Sequence, residues 1–180
     1  MSNNWKGMHN SIIQLIRFEK PDFEKLISWI DNEETLVQFA GTYFTFPLTI
    51  EQLDRYLQDQ NRFVYKVIRV TTQTHIGHGE IYLEKNNAVL CRIIIGDPAD
   101  RGSGIGLQVV NALLEIAFQK LAVEKVELNV FDWNIAAITC YTKAGFTINK
   151  DNTKLREVNG KFWKALNMWI DKTTWEDLRF

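Results

Sequence analysis

Between residues 93 and 118 the chain passes from an apolar, β-branched run, "IIIG", through "DPADRGSGIG" into "LQVVNALLEIAF". Glycines stand at every second position, Gly102, Gly104 and Gly106, with Arg101 ahead of them. Each glycine at a helix entrance lowers helix stability by roughly 1 kcal/mol relative to alanine. A strand, a glycine-rich loop and a helix in that order make a crossover beside a sheet. The loop has a physical use. The first amides of a helix lack intrahelical partners, and the macrodipole places about half a positive charge there. Glycines let a phosphate approach the backbone closely, and Arg101 adds a formal charge beside it.

The pattern around this loop predicts an α+β fold. "SIIQLIRFE" reads as a first strand. Asp22 is placed to cap a helix whose Phe23, Leu26, Ile27 and Ile30 share a face. A second helix begins after Thr49, which forms a capping-box pattern with Gln52. Three strands follow, over "RFVYKVIRVTT", "THIGHGEIYLE" and "NAVLCRIIIG", with turns near Gln73 and at residues 85–87, as an antiparallel meander. Beyond the loop, Leu107, Val110, Leu113, Ala117 and Leu121 share one helix face. "KVELNVF" is a short buried strand, and "NIAAITCYTKAGF" a helix closed by Gly145 as a left-handed cap. Phe146 opens another strand, and Asn159-Gly160 reads as a type I′ hairpin turn. The predicted order is β-α-α-β-β-β-α-β-α-β-β, a mostly antiparallel sheet flanked by helices.

The length of 180 residues and the absence of a linker or repeat predict a single domain over residues 1–180. Lysine plus arginine number 21 against 22 acidic residues, without the basic excess that a nucleic-acid partner calls for. No apolar run reaches the roughly 18 residues of a membrane span. The start, "MSNNWKGMHN", lacks the apolar centre of a signal peptide. Cys91 and Cys140 are far apart in apolar stretches and read as buried, reduced thiols rather than a bridge or metal site. A cytoplasmic protein with no membrane or nucleic-acid partner and no metal is expected.

Three phosphate loops compete for the glycines. A P-loop needs a lysine after its last glycine, and Leu107 stands there. A dinucleotide fingerprint needs a third glycine where Leu107 or Val109 stands, although Glu124 and Glu127 lie at a suitable distance for a ribose contact. The third pattern fits. Arg101-Gly102-Ser103-Gly104-Ile105-Gly106 matches R/Q-x-x-G-x-G/A, the pyrophosphate loop of the GNAT N-acetyltransferases. "IIIGDPADRGSGIG" resembles that family's fourth strand running into its loop, and "NIAAITCYTKAGF" its N-x-x-A-I-x-x-Y-x-x-x-G-F segment. "GKFWKALNMWIDKTTW" is similar to the closing hairpin and tail of the subgroup that acetylates ribosomal proteins and polyamines. The likeness covers nearly the whole chain.

The resemblance implies acetyl-CoA as co-substrate and an amine as acceptor, a small molecule or a protein, with direct transfer in a ternary complex. It implies that backbone amides from Arg101 to Leu107, through Gly102, Ser103, Gly104, Ile105 and Gly106, take the pyrophosphate. Ile94, Ile95 and Gly96 would pair with the pantetheine arm in a slot where the fourth and fifth strands splay. A backbone amide of the fourth strand would stabilise the oxyanion. Asn134 would contact the arm or position the next helix. Tyr141 would protonate the departing thiolate, since a phenol with a pKa near 10 holds its proton at neutral pH. The general base departs from the family pattern. Asn129 and Cys91 or Arg92 stand where relatives carry glutamate, leaving Glu80 as the nearest acid, with a cross-strand ion pair to Arg92 as its competing role. His78 shares its face and reads as a relay or a surface histidine. In the aromatic segment from Phe39 to Leu48, which the resemblance places beside the acceptor site, Phe44 and Phe46 read as core or as pocket wall, and Trp163 and Trp169 as the opposite wall or a homodimer contact. The rivals are a non-catalytic CoA-binding regulatory module, suggested by the missing glutamates, and a dinucleotide-binding enzyme.

Overall fold

The computed structural model describes residues 11–179. The polar opening at residues 1–10 therefore lies outside the described residues. Seven strands form one sheet in the order β1-β2-β3-β4-β5-β7-β6. They are β1 (Ile13–Arg17), β2 (Arg62–Arg69), β3 (Thr74–Glu84), β4 (Asn87–Ile95), β5 (Lys125–Phe131), β6 (Thr147–Val158) and β7 (Lys161–Asp171). All neighbouring pairs are antiparallel except β4 with β5. That parallel pair is the crossover that the glycine loop predicts, and its helix is α4, defined below.

The first three helices are α1 (Phe23–Ile27), α2 (Glu33–Ala40) and α3 (Ile50–Tyr56). They cover one face of the amino-terminal strands, with Phe23, Leu26, Leu36, Leu53 and Tyr56 clustered with Phe18 from the segment after β1. The other face packs against α4 (Ile105–Glu115), where Val109, Val110, Leu113 and Leu114 join Ile81, Leu90, Val126 and Met168. α5 (Ile135–Lys143) follows β5, and α6 (Lys172–Asp177) closes the chain with Trp175 against Phe118. No helix among the described residues is long and apolar enough to cross a membrane.

Two helices were not anticipated from the sequence, α2 and α6. α2 begins at Asn32, whose Oδ1 accepts from the Thr35 amide at 2.8 Å. It shortens the predicted first helix, which ends at Ile27 instead of running through Ile30. Asp22 does not cap α1 with its side chain; it accepts from the Glu19 amide and pairs with Lys66 at 2.7 Å. Thr49 does cap α3, accepting from the Gln52 amide at 3.4 Å. The return half of the capping box is missing, because the Gln52 side chain instead takes Thr45 and Pro47 as partners. The strand from Phe146 and the first arm of the final hairpin are one strand, β6, irregular between Asn149 and Thr153.

The left-handed positions follow turn chemistry. Asn159 and Gly160 have φ of 50° and 73°, the signs that a type I′ turn requires. Gly145 ends α5 at φ 96°, and a Cβ there would stand 2.4 Å from Leu178 Cδ1 and 2.9 Å from Ile170 Cδ1. Gly145→Ala therefore combines backbone strain with overpacking. It is expected to cost about 2–3 kcal/mol, read as a lower urea midpoint with an unchanged m-value.

Candidate functional site

The β4–β5 register runs from Asn87 opposite Lys125 to Leu90 opposite Leu128 and stops. Beyond that point the strands part, and Cys91–Ile95 and Asn129–Phe131 border a cleft of about 1450 Å³. A bulge accompanies the parting. Glu80 faces Cys91 while His78 faces Ile94, so β4 holds one extra residue. Arg92 takes up the difference at φ 49°.

Glu80 holds this bulge. It is fully buried. One carboxylate oxygen meets Arg62 Nη1 at 2.5 Å, and the other meets Arg92 Nη1 at 2.6 Å and accepts from the Tyr56 hydroxyl at 2.6 Å. The ion pair with Arg92 is thus present, and Arg62 and Tyr56 are partners that the sequence pattern did not reveal. Glu80 does not border the cleft, whereas Arg92 does. His78 is not on the surface. It is completely buried against Phe18 and Phe39, and its Nδ1 donates to the Arg92 carbonyl at 2.7 Å. Burial pushes its pKa down to about 4.

At the other end of the cleft, Gly104 opens α4 at φ 85° with no side-chain cap, and Gly102 has φ 75°. A Cβ at either would meet nothing within 4 Å, so backbone conformation rather than crowding asks for glycine. Asp97 caps the short turn before the loop by accepting from the Ala99 amide, Ser103 Oγ donates to the Asp100 carbonyl, and Asp100 pairs with Arg69. Arg101 lies back along β4, with Nε donating to the Ile95 carbonyl at 3.1 Å and Nη2 to that of Gly96 at 3.3 Å. Ile94, Ile95, Gly96, Arg101, Gly102, Gly104, Gly106 and Leu107 all border the cleft. Ser103 and Ile105 do not; Ile105 is buried in the core beneath α4.

Asn134 and Tyr141 border it as well. Asn134 caps α5, its Oδ1 accepting from the Ala137 amide at 3.2 Å, so the helix-positioning role is present. Tyr141 is half-buried against Phe146. Burial, with the neighbouring Cys140 and Cys91, raises its phenol above the ordinary value of 10. Cys91 is held as a thiol, its pKa pushed up to about 12 by burial and by Glu80. Both cysteines are free and half-buried, and no metal-binding cluster occurs among the described residues. Phe44 is core and Phe46 is exposed; Phe39 and Tyr43, from α2 and the loop after it, border the cleft in their place. Trp163 meets Phe131 and Trp133 edge to face.

A family model, the acetyltransferase (GNAT) domain, matches residues 13–147. The chain belongs to the GNAT acetyltransferase family. As an acetyltransferase of this family it takes its acetyl group from acetyl-CoA. It is 22% identical over 165 residues to an N-acetyltransferase 9-like protein of Nematostella vectensis, covering 85% of this chain and 83% of that protein. It is 24% identical over 151 residues to the aminoglycoside N(6')-acetyltransferase type 1 of Klebsiella pneumoniae, covering 76% of this chain and 75% of that one. Among solved structures, the spermidine N-acetyltransferase of Vibrio cholerae in complex with CoA and spermine superposes with a TM-score of 0.77 at 20% identity, over 93% of this chain and 99% of that one. A dinucleotide-binding fold would need a mostly parallel sheet, and among the described residues only one strand pair is parallel.

The buried groups set two expectations. Glu80→Ala leaves two buried guanidinium groups without their carboxylate and is expected to cost about 3–5 kcal/mol, seen as a lower urea midpoint. His78 has its folded pKa depressed from 6.5 to about 4, so the unfolded chain binds its proton first as pH falls. Its contribution is intact above pH 6.5 and is lost on descending toward pH 4, up to about 3 kcal/mol. The urea midpoint, followed from pH 7 to pH 4, should fall less steeply in His78→Asn than in the parent.

Proposed function

We propose that the chain is a single N-acetyltransferase domain that moves an acetyl group from acetyl-CoA to a primary amine by direct attack in a ternary complex. The observation that carries this is the junction of an uncapped, glycine-rich helix entrance with the parting of β4 and β5 in one cleft. The cleft suits the donor's shape. The α4 entrance offers amides to the pyrophosphate, and Gly106, whose added Cβ would meet only Cys140 Sγ at 3.6 Å, leaves the backbone open to close approach. The free edge of β4 from Cys91 offers strand-like hydrogen bonds to the pantetheine arm. The donor supplies an activated thioester there.

Tyr141 is assigned as the proton donor to the departing thiolate. It keeps its proton at neutral pH and has no hydrogen-bond partner among the described residues. Glu80 is assigned an anchoring role rather than that of base, because each oxygen is already engaged by a guanidinium. The acceptor amine then loses its proton to solvent at the open end of the cleft. The cytoplasm is taken as the compartment, in keeping with two free thiols. The acceptor is a small-molecule or protein amine, with no nucleic acid or membrane as partner. A homodimer belongs to the reading; a Vibrio cholerae spermidine N-acetyltransferase with this fold self-associates further, as a dodecamer.

A regulatory module that binds CoA without turnover is the second reading, motivated by the absence of a carboxylate at Asn129 and Cys91. Thiol release with a panel of amines separates the two: acetyl-CoA binding with no amine-dependent thiol leaves only the module. Under the transferase reading, Tyr141→Phe lowers kcat by about a hundredfold while the acetyl-CoA Kd, measured by calorimetry, stays within a factor of about two. An unchanged kcat removes Tyr141 from the chemistry.

A further inference from the structure

We propose that the acceptor carries an anionic oxygen group, a carboxylate or a phosphate, which docks against Lys154 and Arg156. This rests on the acetyl-transfer reading and narrows its substrate class. Lys154 stands opposite Ala165 and Arg156 opposite Trp163, while Ala165 stands opposite Phe131 on the far side of β7. Period-two alternation puts both cations on one face of β6, with Leu155 on the reverse. Both border the cleft. Neither has an ion pair or side-chain hydrogen bond among the described residues.

The cleft's carboxylates are in the opposite condition. Asp31 accepts from Asn32 Nδ2 at 2.8 Å and from Thr35 Oγ1 at 3.0 Å. Asp97 caps a turn, and Asp100 pairs with Arg69. Glu127 feels the Lys154 charge but is already paired with Lys125 at 2.5 Å. Glu34 faces a separate depression of about 460 Å³ beneath Trp133 and Trp163. From β4, Arg92 borders the same cleft, 9% exposed, with its Nε buried and unpartnered. Lys154 and Arg156 thus lack a counter-ion among the described residues, while the cleft's carboxylates are already hydrogen-bonded, Asp31 and Asp97 by neutral donors and Asp100 by Arg69. That is a poor seat for a polycation and a good one for an amine with an anionic tail.

The sheet also sets the spacing. Lys154 and Arg156 lie two strands beyond the edge of β5 that borders the parting. Two inter-strand steps make about 10 Å. The acceptor nitrogen and its anion are therefore separated by a chain of several bonds.

The test compares ε-aminocaproate, its carboxamide, an aminohexyl phosphate and spermidine as acceptors, by kcat/KM. Both anionic amines are expected to exceed the carboxamide and spermidine by about tenfold or more. A gain for the phosphate alone or the carboxylate alone names the source of the charge. In the double variant Lys154→Glu, Arg156→Glu the preference should vanish through acceptor KM, with the acetyl-CoA KM unchanged. Spermidine as the best acceptor, a preference that survives the double variant, or a raised acetyl-CoA KM overturns the proposal. Binding gives a separate readout. With saturating CoA, ε-aminocaproate should raise the Tm of the parent but not of the double variant, and no shift in either also overturns it. Absence of thiol release from every amine, with that Tm shift present, sinks the transfer reading and leaves the docking site standing.

Discussion

The structure depends on a carboxylate between two guanidinium groups. A strand paired on both sides cannot leave one neighbour without a cause, and β4 leaves β5 after Leu90. The cause lies two positions on, where Arg92 adopts a left-handed φ of 49° that a long side chain rarely takes. Such a conformation persists only when its surroundings over-determine it. Glu80 fixes the Arg92 guanidinium, His78 fixes the Arg92 carbonyl, and Tyr43 stacks over it, 4.2 Å from ring centroid to guanidinium carbon. Side chain and backbone of one residue are thus held from three directions. The cleft is the space that this bulge opens.

The glycines perform a different task from the bulge. Arg92 is forced into its conformation by partners, whereas Gly102 and Gly104 take theirs because no side chain stands in the way. The cost of flexible residues at a helix entrance is offset by what the entrance can hold. Among the described residues no side chain caps the first-turn amides of α4, so they remain for an anion. Asp97, Ser103 and the Asp100–Arg69 pair tie the loop to itself and to β2, which keeps those amides aimed before any ligand arrives.

What could be read in the sequence was local. The glycine loop, the segment from Asn134 to Phe146 and the Asn159-Gly160 turn each announce their geometry within a dozen residues, because backbone sign and helix capping are set by near neighbours. What could not be read was assembled across the sheet. Arg62 and Tyr56 reach Glu80 across 18 and 24 residues of chain, and no periodicity links them. His78 alternates like a surface residue, yet α1–α3 cover that face of β3 and bury it. α2 had a local signal, Asn32 before two glutamates with Leu36 and Phe39 on one side.

The same charge arrangement bears on the missing base. An ammonium group entering a cleft that carries unpaired cations is penalised by like-charge repulsion, and its pKa falls. Under the proposed docking, Lys154 and Arg156 exert that repulsion as the acceptor enters, whereas Arg92 is already paired with Glu80. A polycationic acceptor would face that repulsion at every nitrogen. An acceptor with one amine and one anion meets it only where deprotonation helps, while its anion is attracted. Under the proposed docking, the field that repels a polycation is the one that draws in the anionic end of the acceptor.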